Sequence, residues 1–201
     1  MRLLALIGLG AAASLACSQP SRGPDATEGG SVPTPGPVIE ILDGGAYRAV
    51  LPPAMRQLLN DSSPGFEPWP ISHYTSDVRG WYVVTHRSAP SSVVGDFNGD
   101  GVQDLVTEGH DRQRALRLCL LSTGRGFRFM VLQSTSYDTT QRDAGTAINY
   151  IVFQQPGRIG TNYTDSTIVV RTDGFAVVYF EKASMLYYWD GAKFVEFQTS
   201  D

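Results

Sequence analysis

From Trp81 to the C-terminus the chain is a succession of short apolar runs, each closed by glycine, aspartate or polar residues. "WYVVTH", "NYIVFQ", "STIVVRT", "GFAVVYF", "SMLYYW" and "KFVEF" are too short for core helices. They are rich in β-branched and aromatic residues, which is how strands read. The clearest pair lies in "RALRLCLLSTGRGFRFMVLQ". Leu116, Leu118 and Leu120 alternate onto one side, Gly124 to Gly126 turn, and Phe127, Phe129 and Val131 return, which predicts a hairpin. Arg117 and Cys119 share the opposite side, so Cys119 is expected under a loop and not deep in a core. Asp190-Gly191 marks the last tight turn, with both central positions expected at φ > 0. Residues 134–147 are polar, lack a pattern, and read as a mobile excursion.

Ahead of this region, "VIEIL" from Val38 predicts one more strand. "LPPAMRQLLND" predicts a short amphipathic helix: prolines at its first positions, Met55, Leu58 and Leu59 on one face, and Asn60, Asp61 and Pro64 at its end. "PGFEPWP" is a proline-broken loop, and "SHYTSDVRGWY" predicts a second short helix after Ser72. The fold class expected is mainly β (α+β): antiparallel sheets in a hairpin meander with one or two short N-terminal helices.

The first residues have a different character. "MRLLALIGLGAAASLAC" carries one charge, Arg2, then an apolar run and small residues, so 1–16 reads as a secretory signal too short to span a bilayer. Ser14-Leu15-Ala16-Cys17 resembles the lipobox of bacterial lipoproteins, although Ser14 stands where that family prefers Leu. The resemblance implies a lipid on Cys17, and localisation in a bacterial cell envelope, periplasmic or on the outer surface. Cleavage after Ser-x-Ala would cut at the same place, so plain secretion and an uncleaved anchor remain alternatives. Residues 17–37 are rich in Ser, Pro and Gly and read as a disordered linker. Residues 38–201 are left as a single β-rich domain, long enough for a real core.

The formal net charge is −4, and no Lys/Arg cluster occurs. That argues against a nucleic-acid partner and against electrostatic docking on anionic lipid, leaving membrane contact only through a lipid on Cys17. Two cysteines, Cys17 and Cys119, make no disulfide framework and no thiolate zinc site. A bridge between them is the less favoured alternative to lipidation.

"GDFNGDGVQDLV" is the stretch with the most chemistry. Counted from Asp96, Asp96, Asn98 and Asp100 take positions one, three and five. Gly101 takes six, where the turn needs φ > 0; Val102 offers a carbonyl at seven, and Asp104 stands at nine. This is the ligand spacing of calcium loops, and three carboxylates in one turn repel one another without a cation. It is not an EF-hand: Thr107 at position twelve cannot be a bidentate carboxylate, and the flanks are strand-like. The stretch resembles the calcium loops of FG-GAP or VCBS-type repeats, D-x-N-x-D-G-x-x-D between two strands, over about residues 93–109. The resemblance implies Ca2+ held by Asp96, Asn98, Asp100, Val102 and Asp104, with the loop tying two strands together. Glu108 is a further oxygen outside the pattern. One loop in a chain of this length does not make a complete propeller, so the family's adhesive roles do not transfer with it.

No other motif organises an active site. His73, His86 and His110 lack metal spacing, and His110-Asp111 is expected as a solvated turn. No nucleophile elbow, phosphate loop or dinucleotide fingerprint occurs. The aromatics from Phe175 to Phe197 read as sheet core, with an exposed contact strip as the alternative. The function expected is therefore non-enzymatic: an exported, lipid-anchored, calcium-binding β domain serving as an envelope binding or structural module for a protein or glycan partner. The alternatives are a small periplasmic hydrolase and a secreted inhibitor or immunity-type protein.

Overall fold

The computed structural model describes residues 36–43, 46–85, 89–137 and 145–201. The signal segment, Cys17, nearly all of the linker and His86 lie outside the described residues. The elements in chain order are β1 (Val38–Ile41), β2 (Tyr47–Val50), α1 (Pro53–Ser62), β3 (Glu67–Pro68), a 3-10 turn (Ile71–His73) and α2 (Ser76–Thr85). Then follow β4 (Ser92–Gly95), β5 (Asp104–His110), β6 (Arg114–Ser122), β7 (Phe127–Ser136), β8 (Asn149–Gln154), β9 (Gly157–Gly160), β10 (Thr167–Val170), β11 (Gly174–Tyr179), β12 (Ala183–Trp189) and β13 (Phe194–Ser200).

Among the described residues the fold is mainly β, with antiparallel sheets and two α-helices, and no sheet closes into a barrel or propeller. One sheet runs β3-β5-β6-β7, with β4 beside β3 along the same edge of β5. A second runs β13-β12-β11-β8, and β1-β2 and β9-β10 form two-stranded ribbons. The two larger sheets pack face to face. Val93, Val106, Cys119 and Leu121 of the first meet Ile151, Phe175 and Val177 of the second, all buried. Behind the first sheet, α1 lays Met55 onto Leu105 and Leu120. Behind the second, α2 sets Val78 and Tyr82 against Tyr150. β5 and β6 are thus buried on both faces, and the polar Asp104, Thr107, Glu108, His110 and Arg117 are buried along with their apolar residues.

The structure corrects several expectations. "WYVVTH" is not a strand as far as it is described, because α2 continues to Thr85. Thr75 starts that helix: its hydroxyl accepts the Val78 amide at 3.3 Å. Val78 and Tyr82, one turn apart, are fully buried, and the Tyr82 hydroxyl sits between the carbonyls of Ala89 (2.9 Å) and Ile151 (3.1 Å). Tertiary packing overrides the β preference of the Val pair. Cys119 is fully buried, because the second sheet and not a loop covers its face. His110 is buried rather than solvated, since β5 runs through it and pairs it with Glu67 and Ala115.

Residues 134–136 continue β7, and 138–144 lie outside the described residues. At the last turn only Gly191 has positive φ (105°); Asp190 instead caps the turn, its carboxylate accepting the Ala192 and Lys193 amides. The aromatics Phe175, Tyr187, Trp189 and Phe194 belong to the core between the sheets.

Candidate functional site

The acidic loop joins β4 to β5. Asp96 organises it from within. Its Oδ1 accepts the amides of Gly99 (2.8 Å) and Asp100 (3.0 Å), and its Oδ2 that of Gly101 (2.8 Å). Gly99 and Gly101 supply the required φ of 78° and 83°. Asn98 Oδ1 accepts the Asp100 amide at 3.1 Å, and Asp100 Oδ1 accepts the Val102 amide at 2.9 Å. These side-chain-to-backbone bonds wind the turn.

Ser122, the last residue of β6, brings the other polar side chains together. Its carbonyl accepts Asn98 Nδ2 at 2.7 Å, its hydroxyl lies 2.8 Å from both Asp100 oxygens, and its amide donates to Asp104 Oδ1 at 2.6 Å. Asp104 Oδ2 accepts the Phe97 amide at 2.9 Å. Asp104 is fully buried. Burial lifts its pKa to about 6, against the pull of the Ser122 and Phe97 donors, and the nearby Asp100 carboxylate adds to the rise.

Phe97 anchors the loop. It is fully buried in the core between the sheets, edge-on to Phe175 and Phe194. Its carbonyl accepts the Thr172 hydroxyl at 2.7 Å. The adjacent Asp173 exchanges two bonds with Asp96: its carboxylate accepts the Asp96 amide at 2.8 Å, and its own amide donates to the Asp96 carbonyl at 3.2 Å. Sequence reasoning named neither Ser122 nor Thr172-Asp173. They lie far away in the chain, and nothing in the loop motif points to them.

Of the five residues expected to hold a cation, Asn98, Asp100 and Asp104 meet at Ser122. Asp96 faces the loop amides, and Val102 is half-buried, its amide bonded to Asp100. Among the described residues no three Asp, Glu, His or Cys side chains stand grouped for a metal. The repulsion expected among the carboxylates is met here by amide and hydroxyl donors. Two carboxylate oxygens offer about four lone-pair sites between them. Asp104 uses two of them, for the Phe97 and Ser122 amides.

Glu108 does not join the loop. It lies four residues further along β5, roughly 13 Å at strand rise. There its Oε1 receives Arg117 Nε (2.7 Å) and Nη2 (2.5 Å), both residues being buried. Arg117 Nη1 donates to the Tyr187 hydroxyl at 3.1 Å. Burial raises the Glu108 pKa although the Arg117 charge pulls it down. Burial pushes Arg117 down, yet the Glu108 carboxylate holds it above its ordinary value. Beside this pair opens a cleft of about 220 Å3, reached by His73, Gln133, Thr135, Asn149 and Tyr179. Trp69 stacks on His73 at 3.8 Å at its margin.

No family model, curated protein or solved structure matches this chain. Among the described residues no helix is long and apolar enough to cross a membrane.

Proposed function

We propose that the chain is an exported, non-enzymatic binding or structural module of the bacterial cell envelope, held by a lipid on Cys17 and stabilised by Ca2+ at the 96–104 loop. The observation that carries the calcium part is the convergence of Asn98, Asp100 and Asp104 on Ser122 in a turn already wound by Asp96. Asp96, Asn98, Asp100, the Val102 carbonyl and Asp104 are the residues that would hold the ion, in the manner the FG-GAP/VCBS resemblance implies. The ion would supply positive charge where buried and clustered carboxylates lack it. Asp100, the exposed carboxylate of the set, would exchange the Ser122 hydroxyl for the cation. The ion would then tie β4 and β5 to the end of β6. Thermal melting in calcium and in chelator tests this: the midpoint rises with calcium concentration, and equal midpoints throughout remove the ion. The mass of the mature N-terminus tests the lipid.

The cleft beside Glu108 and Arg117 supports a second reading, a small hydrolase, because polar groups and a carboxyl of raised pKa converge there. It ranks below the first reading because both charges of the pair are already occupied with each other. Turnover of model esters or glycosides that Glu108→Gln abolishes, in a variant that remains folded, would promote it.

A further inference from the structure

A separate cavity of about 360 Å3 lies between the β1-β2 ribbon, α1 and the outer face of the five-stranded sheet. Its floor is Leu105, Ser92 and Thr107, all buried. The two floor hydroxyls bond each other at 2.8 Å, so the floor is polar in name but already partnered. Leu51, Leu59 and Phe66 line the space above it. Two exposed cations also reach the lining, Arg48 and Arg56. Arg48 carries a solvent-exposed bond to Glu40, whereas Arg56 donates only to the Leu51 carbonyl and enters no ion pair among the described residues. Apolar surface with a few convergent polar groups is how small-ligand sites are built, and this volume is at the lower end of their usual range of about 300–1,000 Å3.

We propose that this cavity binds a medium-chain fatty acid, its acyl chain against Leu51, Leu59, Phe66 and Leu105 and its carboxylate at Arg56. The charge pattern selects the head group. The Arg56 guanidinium, outside any ion pair among the described residues and beside an apolar space, favours an anionic amphiphile over a neutral one, because guanidinium meets carboxylate with paired, charge-assisted bonds. The volume selects a single short chain over a diacyl lipid. The inference does not rest on the calcium reading, since cavity and loop use different residues.

Dodecanoate titrated calorimetrically into the full chain tests it, with dodecanol as the neutral control and lysophosphatidylglycerol as the phospholipid arm. Dodecanoate is expected to bind saturably, one per chain. Arg56→Gln should weaken it about tenfold, as loss of one charge-assisted contact does, and Leu59→Trp should abolish it by filling the space. Arg56 is exposed, so its variant remains folded and keeps the test decisive if Leu59→Trp does not fold. No saturable binding, binding untouched by Arg56→Gln, or equal or tighter binding of dodecanol or lysophosphatidylglycerol would each overturn the proposal.

Discussion

Ser122 donates its amide to the buried carboxylate of Asp104 at 2.6 Å while its hydroxyl lies on Asp100. One residue at the end of β6 therefore holds both a fully buried carboxylate and an exposed one. Ser122→Ala removes the hydroxyl and keeps the amide. In chelator it should cost about 1 kcal/mol, the usual value of one such bond. In calcium it should melt with an undiminished or larger calcium shift, since Asp100 no longer has a competing partner. Asp100→Asn should reduce the shift or remove it. Calcium-dependent melting of the two variants checks the pair; a calcium shift lost in Ser122→Ala but kept in Asp100→Asn would be the wrong order.

Asp104 makes the fold sensitive to pH. Its folded pKa, about 6, lies above its ordinary value of 3.8. The folded state therefore prefers the protonated form. That contribution is fully present below about pH 4 and is lost as pH rises through about 6, by at most about 3 kcal/mol. Denaturant melts in chelator should show this fall between about pH 4 and 7. Calcium, which favours the ionised carboxylate, should flatten it or reverse it. Asp104→Asn should remove the slope, at a cost at every pH, because its amide nitrogen faces a backbone donor that the carboxylate accepted. An unchanged slope in that variant would assign the pH dependence elsewhere.

Phe97 decides whether the loop has an anchor or only a winding. Phe97→Ala leaves the acidic spacing intact and empties a fully buried site. It should cost about 3–5 kcal/mol, and hydrogen exchange should quicken at Phe97 and Ser122, the two amides that hold Asp104. A loss below about 1 kcal/mol would mean that the loop needs no seat between the sheets.

The Glu108–Arg117 pair offers a different test. Arg117→Met strands a buried carboxylate and should destabilise by about 3–5 kcal/mol. Glu108→Leu with Arg117→Met removes both charges and should recover most of that loss. If the double variant is as unstable as the single, the cost came from lost packing and not from the stranded charge.

Much of the fold was legible because most strands announce themselves by composition and their turns by glycine. β8, β11, β12, β13 and the β6-β7 hairpin fall where the runs of apolar residues place them. β2, β3 and β9 were not legible: they are two to four residues long, and pairing with a partner, not periodicity, makes them strands. Gly109 illustrates this. A Cβ there would fall 2.1 Å from the Glu67 carbonyl, so its glycine permits β3 to lie on β5, yet in sequence it reads as an ordinary strand end. Val83 and Val84 misled in the other direction, because the burial of Val78 and Tyr82 sets the periodicity of α2. At the acidic loop the winding residues were readable from their spacing. Ser122 and Asp173 were not, since long-range contact has no local signature.

The sealed position of Cys119 has a practical consequence. Its thiol is free, enclosed between the two large sheets, and burial holds its pKa well above the ordinary thiol value. An alkylating reagent in the surrounding medium can meet it only when those sheets part. The speed of labelling at this one sulfur thus clocks how often the sandwich opens, without any dye or engineered probe.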